Sequence, residues 1–237
     1  MSCFCSQWYK EKAEDFAGIK DSQQLAAQLQ GIAKENQFER ALLVLEFPTP
    51  FSRRKCAVIT KGESTWLGPI DHDYVAPLRS SLEASARLIE AITWASDCDS
   101  VIFQSQDGAQ THGLTSGMTY TTVATSGVIY SLLFFRVGRV VTEQERYTLS
   151  LQLRCISDLV KRAGQRLGLE HAPGFELTPQ EIDILRWTAD GKCTYDVARI
   201  MGISENTVNY HVKKVLGKIG CVSKLQAVAH AASWKLL

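Results

Sequence analysis

Leu177-Thr178-Pro179-Gln180-Glu181, then Gly191, Gly202-Ile203-Ser204 and the run Glu205-Asn206-Thr207-Val208-Asn209-Tyr210-His211, decide how this 237-residue chain ends. Thr178 is placed to cap a helix. Pro179 suits the first helical position, where no N–H partner is lost, and Glu181 completes a capping box. Ile182, Leu185 and Trp187–Ala189 supply a buried face, and Gly191 stops the helix. A second helix is expected from about Thr194 to Met201. Gly202-Ile203-Ser204 is then a tight turn, with Ser204 capping a third helix from Glu205 to Ile219. A short helix, a glycine-containing turn and a longer helix form a helix-turn-helix, whose second member suits the major groove of DNA.

The third helix is two-sided. Val208, His211, Val212, Val215 and Ile219 fall inward at three- and four-residue spacing. Asn206, Asn209, Tyr210, Lys213, Lys214 and Gly217 fall outward. Amides and lysines on such a face can bond base edges and neutralise phosphates. By spacing alone, a three-helix bundle with a polar surface fits equally. Charge is distributed unevenly: residues 173–237 hold eight Lys+Arg against six Asp+Glu, and the rest is near neutral. Four lysines and no acid lie between His211 and Lys224, a basic stripe that fits either DNA or a solvated helix face. His211 reads as a packed core histidine.

Upstream, helices are expected over about 6–17 and 22–37, the second capped by Asp21. Ala41–Phe47 is a short apolar run closed by Pro48 and Pro50, hence a buried strand, with 55–60 as its neighbour. A turn-rich stretch, 61–77, leads to a helix over 78–93. Met118–Ala124 and Val128–Phe135 flank Thr125-Ser-Gly127 as a hairpin. Thr142 and Glu145 form a capping box opening a helix to about Leu169. That helix is longer than one core needs and is read as half core, half dimer contact. Pro173-Gly174 marks a linker.

The composition, 45% hydrophobic and 22% charged, is that of a folded globular chain. No apolar run approaches the ~18 residues of a membrane span. Met1–Asp15 does not read as a secretory leader. Seven scattered cysteines, without CxxC spacing, read as reduced thiols. A cytoplasmic protein without membrane partner is expected.

The motif residues Leu177–Lys192, Val197-Ala198, Ile203–His211 and Lys218-Ile219 closely resemble the LuxR-type DNA-binding domain, including its Glu, Leu and Gly at Glu181, Leu185 and Gly191. By that resemblance Asn209 and Lys213 meet bases, with Asn206 and Tyr210 on the same face. Lys192, Thr194, Thr207, Lys214 and Lys218 look like contacts to the DNA backbone. The resemblance extends more weakly over 1–165 to the acyl-homoserine-lactone-sensing regulators, on Phe47–Arg53, Trp66, Pro77, Trp94 and Gly117. It implies an α+β chain: an α/β/α sandwich sensor and dimerisation domain over 1–168, a linker over 169–176, and an all-α four-helix head over 177–237. It also implies a homodimer on double-stranded DNA, with no cofactor beyond a small-molecule signal, an acyl-homoserine lactone or analogue.

The sensor departs from the family pattern. Ile70 stands where a Tyr is expected, and Ala76-Pro77 replaces Asp-Pro. Leu133 falls where several relatives have a hydroxyl. Trp66, Asp73, Tyr74, Trp94 and Tyr120 remain as candidate ligand contacts, with plain core aromatics as the alternative for Trp66 and Trp94. Losing a hydrogen-bond partner costs roughly 1–3 kcal/mol, so the lactone preference of the family is expected to be altered here. A heterodimer with a related regulator, acting as an antagonist, is the second reading. An enzyme is disfavoured: Gly113-Leu-Thr-Ser116-Gly117 is not G-x-S-x-G, no P-loop or HExxH occurs, and Asp71-His72-Asp73 reads as a solvated loop.

Overall fold

A computed structural model describes residues 2–50, 55–61, 63–69, 84–87, 90–97, 114–170 and 176–237. Helices α1 (Ser2–Ala17) and α2 (Ser22–Glu35) open the chain, and Asp21 caps α2 by accepting the Gln24 N–H at 2.8 Å. Six strands follow: β1 Arg40–Glu46, β2 Lys55–Thr60, β3 Glu63–Pro69, β4 Ile92–Asp97, β5 Leu114–Val123 and β6 Ile129–Val137. They form one antiparallel sheet in the order β3-β2-β1-β6-β5-β4.

β1 is a continuous apolar run because both of its faces are buried. Ala41, Leu43 and Leu45 share one face with Met118, Tyr120, Leu132 and Phe134, in one core with buried residues of α2 and of helix α3 (Glu143–Arg166). Alternation places Leu42, Val44, Cys56, Val58, Ser131 and Leu133, all buried, on the second face. Burial pushes the Cys56 thiol up to about 11, with the Glu46 charge adding to the rise. The Thr142–Glu145 capping box starts α3, and both guanidinium N–H groups of the buried Arg136 grip Glu145.

Beyond residue 175 come α4 (Pro179–Ala189), α5 (Thr194–Met201), α6 (Glu205–Ile219) and α7 (Lys224–Ser233). Gly202 and Gly220 end α5 and α6 at φ +67° and +73°, which a side chain would resist. Two small cores hold the unit: Leu185 with Val215, Cys221, Ala227 and Ala231, and Ile184 with Val197, Ala198 and Val208. The fold is therefore a sheet-and-helix unit followed by an all-helical one, as the sequence implies.

Two expectations need correction. Ile92 and Thr93 belong to strand β4, not to the end of a helix over 78–93; Ile92 pairs with Thr119 and Thr93 with Met118. The stretch 61–77, read as turns, contains β3 paired to β2. Of the predicted helix, 84–87 is helical, while 78–83 and 88–89 lie outside the described residues.

Candidate nucleic-acid interface

Helix α6 is positioned by its ends and its inner face. Ser204 accepts the Thr207 N–H at 3.1 Å, and Val208 and Val215 are buried. This leaves Asn206, Asn209, Tyr210, Lys213 and Lys214 exposed along one side of the helix. Lys214 Nζ lies 4.9 Å from the Tyr210 ring centroid, and the Tyr210 hydroxyl holds its ammonium above the usual lysine range. His211 is half-buried, edge-on to Tyr210 at 5.5 Å, with Nδ1 unpaired. Lys192 is exposed beside the start of α5, and Thr194 is its first residue.

Lys218 has a different environment. Its Nζ lies 2.6 Å from Glu181 Oε2, and Glu181 is only 1% exposed. The same carboxylate accepts the Thr178 N–H at 2.7 Å. Burial pushes the Glu181 carboxyl up, but Lys218 and Thr178 outweigh it and hold it below the usual range. The lysine thus ties α6 to the first turn of α4.

The sensor candidates are not all brought together. Trp94 Nε1 donates to Thr119 Oγ1 at 2.9 Å, and its ring tilts against Phe135 at 6.3 Å. A Cβ on Gly117 would collide with the Phe134 carbonyl and stand 2.6 Å from Trp94 Cζ2, so the glycine is the notch in which Trp94 lies. Tyr120, one residue beyond Thr119, turns to the face opposite Trp94 and packs in the α2–α3 core. The backbone of Trp66 pairs with Ala57 in β3. Asp73 and Tyr74 lie outside the described residues. The second face carries a buried hydroxyl pair instead, Thr121 Oγ1 and Ser131 Oγ, 3.0 Å apart.

Residues 176–231 match the family model described as bacterial regulatory proteins, luxR family. These residues form a LuxR-family helix-turn-helix domain. Along its length the chain is 29% identical to the HTH-type quorum-sensing regulator RhlR of Pseudomonas aeruginosa, over 97% of this chain and 96% of that one. Identity to the regulatory protein SdiA of Escherichia coli is 25%, covering 97% of both chains. A solved SdiA structure, described as a complex with octanoyl-rac-glycerol, matches with a TM-score of 0.73 at 23% identity, over 98% of this chain and 96% of that one. That match concerns the fold. Both relatives are named as regulators.

Two surface residues of α5 escaped the sequence reading. Tyr195, 53% exposed, and Arg199 lie on α5, with the guanidinium 5.8 Å from the ring centroid. The signal was present: they are four residues apart, an aromatic and a cation on one helix face. Cys193 caps α5 where a hydroxyl is usual, and its thiol lies 2.9 Å from Asp196.

Proposed function

We propose that this regulator binds promoter inverted repeats as a dimer, laying one α6 in the major groove of each half-site. The supporting observation is the exposed outer face of α6, where Asn209 and Lys213 stand one turn apart above a buried valine seam. Asn206 and Tyr210 flank them, and in this reading Lys192, Thr194, Thr207, Lys214 and Lys218 meet phosphates. Residues 1–168 act as sensor and dimerisation domain, 169–176 as linker and 177–237 as head. On α3, Tyr147 and Leu151 are 68% and 67% exposed, and this apolar surface supports pairing of two copies.

The signal is a small amphiphile, an acyl-homoserine lactone or an analogue with a different polar end. The apolar second face of the sheet, with Thr121, Ser131 and Trp94, supports this; the SdiA match, described with an acylglycerol, concerns a relative of the same fold. Binding to the folded sensor would raise its population by mass action. The test is a gel shift on a family-type inverted repeat at several salt concentrations, with and without candidate amphiphiles. Retardation that weakens with salt is expected; no retardation under any condition defeats the proposal. The sequence departures at Ile70 and Ala76 beside a complete α3 favour a second reading, an antagonist pairing with a related regulator. Size analysis after co-expression separates the two: mixed dimers support the antagonist, homodimers alone exclude it.

A further inference from the structure

The C-terminal turn of the helical unit is built into the sheet unit. Trp234 is 6% exposed, and its indole N–H donates to Thr49 Oγ1 at 2.9 Å. Its ring stacks on Phe47 with centroids 6.0 Å apart and planes at 30°. The residue belongs to the sheet unit's core and to neither core of the helical unit, so the head's own packing does not explain it. Leu236 packs against both. The turn between β5 and β6 presses on the same place: a Cβ on Gly127 (φ +85°) would collide with the Ser233 carbonyl.

That turn also holds the chain as it leaves α3. Glu170, 7% exposed, accepts Ser126 Oγ–H at 2.6 Å and the Tyr130 hydroxyl at 3.1 Å. Burial and the neighbouring carboxylate keep the Tyr130 hydroxyl protonated, so it remains a donor. The Trp234 seat therefore fixes the head to one corner of the sheet, beside the turn that also holds Glu170. The α6 outer face stays exposed in this arrangement, so the contact does not mask the reading surface. β1 links the corner to the second face, because it carries Leu42 and Val44 and exits at Phe47.

From these contacts we infer that the Trp234 seat is a positional clamp. It fixes each recognition helix relative to its sensor, so that a dimer presents two heads at a set spacing instead of two tethered heads searching independently. The inference rests on α6 being the DNA-reading helix. A rigid presentation raises the effective concentration of the second head once the first is bound.

The test uses the full chain with Trp234→Ala and the milder Thr49→Val. Hydrogen exchange is followed in peptides containing 45–50 and 230–237, and affinity is measured for an inverted repeat and for a single half-site. In Trp234→Ala both peptides exchange faster together. Inverted-repeat affinity falls about tenfold while single-site affinity is kept, since only the second head loses its placement. Thr49→Val shifts both readouts the same way by less. Unchanged exchange in 45–50 overturns the seat, and unchanged or higher inverted-repeat affinity overturns the clamp. A wild-type protein that binds neither duplex defeats the DNA-reading proposal instead, and the exchange arm still decides the seat.

Discussion

Lys218→Met separates a strut from a phosphate contact. The carboxylate of Glu181 is buried and accepts two charge-satisfying bonds, from Thr178 N at 2.7 Å and Lys218 Nζ at 2.6 Å. Methionine keeps most of the aliphatic stem but leaves the carboxylate with only the Thr178 cap as hydrogen-bond partner. Removing one partner of a fully buried pair costs roughly 3–5 kcal/mol. The Lys218 side chain is 32% exposed, so water already solvates one end of this pair. The cost is then closer to that of a charged hydrogen bond, about 1–3 kcal/mol. In a unit the size of the head this lowers the melting midpoint by roughly 5–20 °C.

The pH dependence fixes the sign. Glu181 titrates below the ordinary carboxylate range when folded, so its contribution is present above the unfolded value of about 4.3 and is lost as pH falls through the folded one. The gap between wild type and Lys218→Met is full at pH 7 and closes in acid. The assay is thermal unfolding of the full chain by circular dichroism across that range, alongside the salt dependence of DNA binding. A lost phosphate contact would flatten the log–log salt slope by about 0.9. An unchanged midpoint with a slope flatter by that amount would refute the strut.

Lys213→Ala should weaken DNA binding and relax sequence preference, losing about 1–3 kcal/mol of discrimination at one base position; competition among half-site variants reads it. Glu145→Gln should destabilise the sheet unit by roughly 3 kcal/mol at pH 7. The Arg136 guanidinium, the largest cause, holds the Glu145 carboxyl at about 2, so the stabilisation is present above the ordinary carboxylate range and lost as pH falls through about 2. Urea midpoints should therefore fall more steeply with acid in wild type than in the variant. Gly117→Ala should cost about 1–3 kcal/mol by pushing on Trp94 and the β6 backbone, measured by urea unfolding; an unperturbed midpoint would mean the sheet yields there freely.

The head was legible because each boundary carries its own chemistry: Thr178 with Glu181, Gly202 before Ser204, valines at helical spacing in α6. The sheet was legible only where apolar content was dense, as in β1 and β6. β3, Glu-Ser-Thr-Trp-Leu-Gly-Pro, is an edge strand with three polar residues at its start, and no alternation marks it. The first two residues of β4 read as helix because Leu88, Ile89 and Ile92 continue a three- and four-residue spacing by coincidence. Pairing with β5 decided the matter, and spacing along the chain does not contain pairing.

The same distinction governs the sites. The face that Tyr120 takes is legible from sequence, since strand alternation puts it opposite Gly117, Thr119 and Thr121 once the strand is granted. The pairing of Lys218 with Glu181 is not, because its angular position on α6 lies between the two faces and only the arrival of α4 brings the carboxylate to it. Trp234 is further still from legibility: its hydrogen-bond partner, Thr49, is 185 residues away, and nothing near either residue specifies the other. Local patterns name the elements that do the reading, whereas the contacts that place those elements relative to the sensor come from chain ends and strand exits, where sequence periodicity has stopped.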